Sequence, residues 1–435
     1  MQGTDNERII NHIIIIDLKN GTDFLVVNGI NGAVDVLDGH EKQRVELWRQ
    51  TGSIQIIDGA DRELYQRLYE RKYIMSEEDE RDMFDRIVEK LHERVNTEAG
   101  THMAWFVLSY NCNFKCPYCY ERKKGTNTIT KDMVDRIFDV NKELDKIGLF
   151  GGEPLLPENR EIIDYIISKS QPDTDFFVIT NGYYLEEYID TLRNIRVKNI
   201  QVTIDGTEEV HNKTRCTRDG NGTYNKILSG IRKCAQYNLP VTIRMNLSMD
   251  NMESCLRERD IISSCEWGSG IKFELQPLFQ LENKMSGQIY DSVIKDDTGK
   301  GRNNKMFEKL LPISGFLYNK TPLYPVVKAC DREGQVRFYD ANGDIYNCIL
   351  AVGNADKSIG KYYPNLELKE KSFLTRDITK IDKCRSCENA LFCGGGCPNA
   401  IPEGCDIYSP NCASFLNDIN YMVPSIYEQL YAHND

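Results

Sequence analysis

Cys112-Asn113-Phe114-Lys115-Cys116-Pro117-Tyr118-Cys119 is the stretch that decides the fold. Three cysteines stand at spacing x3 then x2, just after the apolar run Ala104-Trp105-Phe106-Val107-Leu108. A strand that ends in a short loop can point three thiolates at one centre. Thiolates are the ligands that iron–sulfur clusters select. A closed zinc site or an electron-transfer cubane takes four protein ligands, so three leave one metal position open for a small molecule. The competing reading is three unrelated buried cysteines, or three-quarters of a zinc site.

Downstream of the loop, apolar β-rich runs alternate with helical patterns, which signals βαβ units and a parallel sheet. The expected strands are 103–108, 146–150, 175–180, 199–204, 241–245 and 272–275, with helical patterns such as 133–144, 160–169 and 224–237 between them. A parallel sheet carries its ligand sites at the C-terminal strand ends. The unusual loops fall there: the cysteine loop, then Gly151-Gly152-Glu153-Pro154, then Thr180-Asn181-Gly182, then Asp205-Gly206. Two glycines let backbone come close to a ligand, and Glu153 offers an acceptor to an ammonium group.

A second cysteine set lies near the other end of the chain. Cys330 and Cys348 bracket a hairpin pattern with its turn at Asn342-Gly343, and Cys384-x2-Cys387-x5-Cys393-x3-Cys397 is followed by Cys412. The loop Gly394-Gly395-Gly396 lets backbone wrap a cluster and donate N–H bonds to its sulfurs. The 15 cysteines of this 435-residue chain read as metal ligands, because the polar, acidic N-terminus lacks a secretory signal. Cytoplasm is the expected location. Cys216, Cys234, Cys255 and Cys265 share no spacing and read as ordinary thiols. A net charge of −12 argues against nonspecific nucleic-acid binding. No apolar run of about 18 residues signals a membrane span.

The C-x3-C-x2-C loop, with an aromatic before its third cysteine, resembles the signature of radical S-adenosylmethionine (SAM) enzymes. The C-terminal pattern resembles the SPASM domain that follows such domains. The resemblance implies a [4Fe-4S] cluster on Cys112, Cys116 and Cys119, whose fourth iron chelates SAM. One electron then cleaves SAM to methionine and a 5′-deoxyadenosyl radical, which takes a hydrogen atom from the substrate. It implies that Tyr118 lies near the adenine, that Gly151, Gly152 and Glu153 bind the SAM amino group, and that Thr180, Asn181, Thr203 and Asp205 line the site. His211-Asn212-Lys213-Thr214-Arg215 resembles a His-x3-Arg stretch of the peptide-modifying branch, in which Arg215 would pair with the SAM carboxylate; Asn246 is a further contact. Asp205 and His211 are the catalytic candidates. Two auxiliary [4Fe-4S] clusters are implied, one on Cys384, Cys387, Cys393 and Cys412 and the other on Cys330, Cys348 and Cys397. The second is one ligand short, so either Cys405 completes it or an iron stays open.

The first hundred residues carry no comparably specific motif. Three β runs and three helical stretches make a small α+β unit, vaguely similar to the winged-helix-like domain that holds leader peptides by β-augmentation. The alternative is a cap packed on the barrel. The expected fold is therefore α/β: a partial (β/α)6 TIM-type radical SAM barrel with an N-terminal α+β domain and a C-terminal SPASM domain. The expected boundaries are 1–100, 101–280, a polar linker at 281–325, 326–415 for SPASM and a C-terminal helix at 416–435. The resemblance implies a peptide maturase that installs a thioether or carbon–carbon crosslink in a ribosomally made precursor peptide. Its electron donor would be a flavodoxin or ferredoxin. The alternatives are an anaerobic sulfatase maturase, oxidising Cys or Ser to formylglycine, and a zinc-binding scaffold without catalysis.

Overall fold

The computed structural model describes residues 6–18, 20–97, 103–121, 125–142, 144–268, 270–278, 325–329, 336–402, 404–412, 415–416, 419–420 and 423–424. The chain divides into two units, each assembled from segments distant in sequence. One comprises Met1–Glu98, Ser286–Asp331 and Arg376–Asp435; the other comprises Ala99–Met285 and Arg332–Thr375.

The first unit begins with β1 (Glu7–Ile9), β2 (Ile13–Asp17), β3 (Asp23–Asn28) and β4 (Val34–Asp38). The β-branched runs of β2, β3 and β4 pair as the expected antiparallel meander, with Ile15 opposite Val26 and Leu25 opposite Val36. Helix α1 (Gly39–Thr51) starts on a capping box. Asp38 accepts from Glu41 N, and the Glu41 side chain accepts from Asp38 N. Asp58 caps α2 (Gly59–Glu70) in the same way, without the return bond. Strand β5 (Ile74–Ser76) pairs antiparallel with β1, and α3 (Glu77–Thr97) follows it. Trp48, Leu64, Leu68 and Tyr73 close one core against Ile10, Ile13 and Val26. A second core joins Ile30 and Val88 to Val327, Ile378, Ile381, Ala390 and Leu391. The N-terminal α+β region and the later cysteine segment therefore share an apolar interior, where the sequence suggested separate domains.

In the second unit, β6 (Met103–Val107), β7 (Lys146–Phe150), β8 (Asp175–Thr180), β9 (Arg196–Thr203), β10 (Val241–Leu247) and β11 (Lys272–Pro277) lie parallel in chain order. Between them run α4 (Lys131–Val140), α5 (Arg160–Lys169), α6 (Ile189–Arg193), α7 (Glu208–Thr214), α8 (Tyr224–Gln236) and α9 (Met252–Ser264). All six expected strands form. The hairpin also forms, but in an unexpected place. β12 (Val336–Tyr339) lies parallel against the free side of β6, and β13 (Asp344–Tyr346) returns antiparallel. β14 (Gly360–Lys361) and β15 (Glu367–Leu368) extend the sheet to 10 strands. Residues 336–368 thus complete the barrel sheet instead of belonging to the cysteine-rich segment. Helix α10 (Ala390–Cys393) belongs to the first unit. The linker expected at 281–325 lies outside the described residues but for its last, as does most of the helix expected at 416–435. Among the described residues, no helix is long and apolar enough to cross a membrane.

Strand β10 alternates buried Val241, Ile243, Met245 and Leu247 with half-buried Thr242, Arg244 and Asn246. The apolar set meets helices, while the polar set faces the other side of the sheet. Arg244 pairs with Glu274 of β11 at 3.7 Å on that face. One flank of the barrel interior is therefore polar, as a binding site requires and a packed core does not.

Candidate functional site

The cysteine loop leaves β6 and is tied down on both sides. Gly152 N donates to Ser109 O and Glu153 N to Asn111 O, both at 2.8 Å. On the other flank, Lys115 N donates to Cys216 O at 3.2 Å and Arg218 N to Asn113 O at 2.9 Å. Arg218 Nε adds a bond to Cys112 O at 2.7 Å. Two of the thiols receive a backbone N–H from another residue: Cys112 from Phe114 and Cys119 from Glu121. Burial pushes all three thiols up, Cys112 to about 12, with Glu153 adding to the effect there. Thiols this reluctant to ionise alone become thiolates when a metal cluster supplies positive charge.

Glu153 is fully buried beneath this loop. Its Oε1 accepts from Thr180 Oγ1 at 2.6 Å and Leu155 N at 2.9 Å, and its Oε2 from Asn181 N at 2.6 Å. Burial nevertheless pushes its carboxyl up to about 7. Asn181 connects it to the cluster loop, because Asn181 Nδ2 donates to Asn113 Oδ1 at 2.8 Å and reaches Cys112 Sγ at 3.7 Å. The glycines before Glu153 have a reason visible in the backbone around them. A Cβ on Gly151 (φ 132°) would stand 2.3 Å from Ser109 O, and one on Gly152 would stand 2.3 Å from Asn111 O. They admit the backbone of the cysteine loop.

A second group closes from the opposite strand ends. The Tyr118 hydroxyl donates to Asp205 Oδ2, and Arg215 Nη1 donates to Tyr118 Oη at 2.7 Å. Arg215 also pairs with Asp205 at 3.8 Å and lies 5.8 Å from the Phe114 ring centroid. Asn246 contributes its backbone N–H to Asp205 Oδ1 at 3.0 Å, while its side chain accepts from Arg244 Nε. Thr203 is buried at the end of β9, two residues before Asp205.

His211 is wholly buried. Its Nδ1 accepts from Asp205 N at 3.3 Å, so Nε2 carries the proton and faces Thr223 Oγ1 at 3.1 Å. Thr223 Oγ1 in turn donates to Arg215 O. Burial first, and Arg215 second, push the His211 imidazole down to about 3. It is a neutral brace between the backbones of Asp205 and Arg215. Sequence reasoning also missed Asp340. This buried carboxylate, in the turn between β12 and β13, accepts from Tyr110 Oη at 2.6 Å, two residues before Cys112. No motif marks it.

Of the later cysteines, Cys384, Cys387, Cys393 and Cys412 lie within electrostatic reach of one another in the first unit. Burial pushes Cys384 to about 11 and Cys393 to about 12, and Gly395 N–H bonds the Cys393 sulfur. Cys397 and Cys405 are exposed. Cys348 follows β13 in the second unit, and Cys330 lies outside the described residues. Among the described residues, no three His, Cys, Asp or Glu side chains close tightly enough to hold a single metal ion. A cubane spreads its thiolates over four irons, so its ligands stand farther apart than those of one zinc.

Residues 106–255 match the family described as the radical SAM superfamily. GTP 3′,8-cyclase of Campylobacter jejuni subsp. doylei is 25% identical over 201 residues, 43% of this chain and 60% of that protein. GTP 3′,8-cyclase of Clostridium perfringens is 33% identical over 184 residues, 39% of this chain and 54% of that protein. The chain thus spans between half and two-thirds of the length of these curated relatives. Among solved structures, native anSMEcpe with bound AdoMet and Cp18Cys peptide superposes with a TM-score of 0.55 at 17% identity, over 76% of this chain and 98% of that one. Streptococcus suis SuiB bound to precursor peptide SuiA gives a TM-score of 0.54 at 14% identity, over 94% of this chain and 99% of that one. At these identities the likeness establishes the fold. A radical SAM domain implies SAM and one [4Fe-4S] cluster, and three thiols in one loop, two of them bonded by backbone N–H groups, fit that pair.

Proposed function

We propose, from the premise that the chain carries a radical SAM domain over residues 106–255, that it is a maturase of a ribosomally made peptide. The SAM–cluster pair, when bound, supplies a 5′-deoxyadenosyl radical that takes a hydrogen atom from the peptide. The chain's own residues do the rest. Cys112, Cys116 and Cys119 would hold the [4Fe-4S] cluster beside which SAM binds. Glu153, held rigid by Thr180 and Asn181, receives the ammonium of SAM. Tyr118, Asp205 and Arg215 form a locked polar wall beside the cluster loop, and Arg244, Asn246 and Glu274 face the barrel interior. Cys384, Cys387, Cys393 and Cys412 hold an auxiliary [4Fe-4S] cluster, and Cys330, Cys348 and Cys397 hold a second.

The observation that carries the peptide reading is extent. The likeness to SuiB with its precursor peptide runs over 94% of the chain and 99% of that structure. The likeness to GTP 3′,8-cyclases covers 43%. The likeness to anSMEcpe with its cysteine peptide supports a second reading, oxidation of a single Cys or Ser to an aldehyde. In either case the reading includes a cytoplasmic location and a flavodoxin or ferredoxin as electron donor.

The test begins with metal. Anaerobically purified protein is expected to hold about 12 irons per chain, and the combined Cys112→Ala, Cys116→Ala, Cys119→Ala variant about 8. With dithionite and SAM, 5′-deoxyadenosine should form, faster with a precursor peptide encoded beside the gene. Mass spectrometry of that peptide then separates a crosslink from a hydrazide-reactive aldehyde. Zinc in place of iron, or a cyclised nucleotide from GTP with the peptide untouched, would sink the proposal.

A further inference from the structure

Arg376 is buried at 2% exposure within the cysteine segment of the first unit. Its guanidinium donates four hydrogen bonds to backbone carbonyls. Nε bonds Ile407 O at 2.8 Å, Nη1 bonds Gly396 O at 3.1 Å, and Nη2 bonds Ser409 O at 3.0 Å and Gly395 O at 2.5 Å. These carbonyls belong to two loops, one between Cys393 and Cys397 and one leading to Cys412. The loops fit with no room to spare. A Cβ on Gly396 would stand 1.7 Å from Asn411 O, and one on Gly395 would stand 3.1 Å from Arg376 Nη1.

Gly395, whose carbonyl Arg376 holds, donates its N–H to the Cys393 sulfur. The guanidinium is also near enough to Cys384 to favour its thiolate. Arginine keeps its charge at every accessible pH. A cation in a low-dielectric interior acts strongly on neighbouring charge. Adding an electron to a thiolate-bound cluster makes it more negative, so a fixed cation beside it favours the reduced form. Surrounding charge, hydrogen bonds to sulfur and burial are the means by which proteins set cluster potentials.

We propose that Arg376 is a positioning residue that sets the reduction potential of the cluster on Cys384, Cys387, Cys393 and Cys412 through its fixed positive charge. The inference rests on the auxiliary-cluster reading above. That charge would poise the cluster to accept an electron, which suits a crosslinking reaction in which a substrate radical must lose one.

The experiment uses the full chain with Cys112, Cys116 and Cys119 all changed to Ala, so that the SAM-site cluster does not contribute. In that background Arg376, Arg376→Lys and Arg376→Gln are compared. Iron content, circular dichroism and EPR-monitored redox titration are the readouts. Arg376→Gln is expected to move the midpoint potential of one cluster to more negative values with the fold intact. Arg376→Lys, which keeps the charge but not the four-carbonyl fork, is expected to stay near the parent potential. Equal potentials in all three proteins would overturn the inference. So would loss of iron from the folded lysine variant, because the fork and not the charge would then be what matters. A parent protein without iron would sink the auxiliary-cluster reading itself, and the inference with it.

Discussion

Two buried groups at the site should give opposite responses to acid. Glu153, pushed up to about 7 by burial, keeps its proton in the folded chain at pH values where an unfolded glutamate, near 4.5, has lost it. The folded state binds more protons in that window, so this group's contribution falls as pH rises from 4.5 through 7, by up to about 3 kcal/mol. His211 works the other way. Its imidazole, pushed down to about 3 from 6.5, stays neutral while an unfolded histidine takes a proton, so its contribution falls as pH drops below 6.5. The two slopes oppose each other between 4.5 and 6.5. Urea unfolding at about pH 5 and about pH 7 checks this: Glu153→Gln should be markedly more acid-labile than wild type, and His211→Gln less so. A cation placed against Glu153 must also expel its proton. SAM affinity, measured by calorimetry, is expected to rise with pH to about 7 and then level off. Glu153→Gln should bind weakly at every pH. None of this was legible in the sequence, which marks His211 as an imidazole near an arginine but does not reveal that both lie out of water's reach.

The loops after β6, β7, β8 and β9 act as one object, because the cysteine loop after β6 is bonded to each of the other three and Glu153 ties the second to the third. Gly152→Ala tests that coupling. Its methyl would stand 2.3 Å from Asn111 O and 2.6 Å from Tyr110 O, and both obstacles are backbone. Overpacking of this kind costs about 1–3 kcal/mol. The variant should lose up to about 4 irons, those of the SAM-site cluster, and keep the rest. Equal loss from every cluster would instead indicate general misfolding. At this scale the sequence was most readable. The six parallel strands stood out because β-branched runs end in Gly-Gly-Glu, Thr-Asn-Gly and Asp-Gly, residue types that strand interiors avoid. β1 and β5 escaped because three residues each carry no period. The place of β12 escaped because pairing with β6 is decided by a partner more than 200 residues away.

Across the whole molecule, domain boundaries drawn from composition divided what packing joins. Cysteine spacing grouped Cys330 and Cys348 with the later five, yet residues 336–368 complete the barrel sheet. The N-terminal α+β region shares its interior with the segment that carries Cys384 to Cys412. Leu391→Ala tests this union, since a buried leucine truncated to alanine costs about 2–5 kcal/mol. Limited proteolysis is expected to open residues 1–98 and 376–435 together, while the barrel stays resistant. Cleavage confined to the C-terminal segment would argue for independent domains. This shared interior also fixes an order of events during synthesis. Residues 1–98 leave the ribosome first, but most of the apolar partners of Ile30 and Val88, from Ile378 to Leu391, follow roughly 280 residues later. At about 5–20 residues per second, that face waits uncovered for tens of seconds. The barrel's six parallel strands are all synthesised within that interval. The iron-delivery machinery would therefore meet a nearly finished SAM site on a nascent chain whose C-terminal cysteines have not yet been translated, so chaperone cover of the N-terminal face and metal loading become coupled demands on the cell.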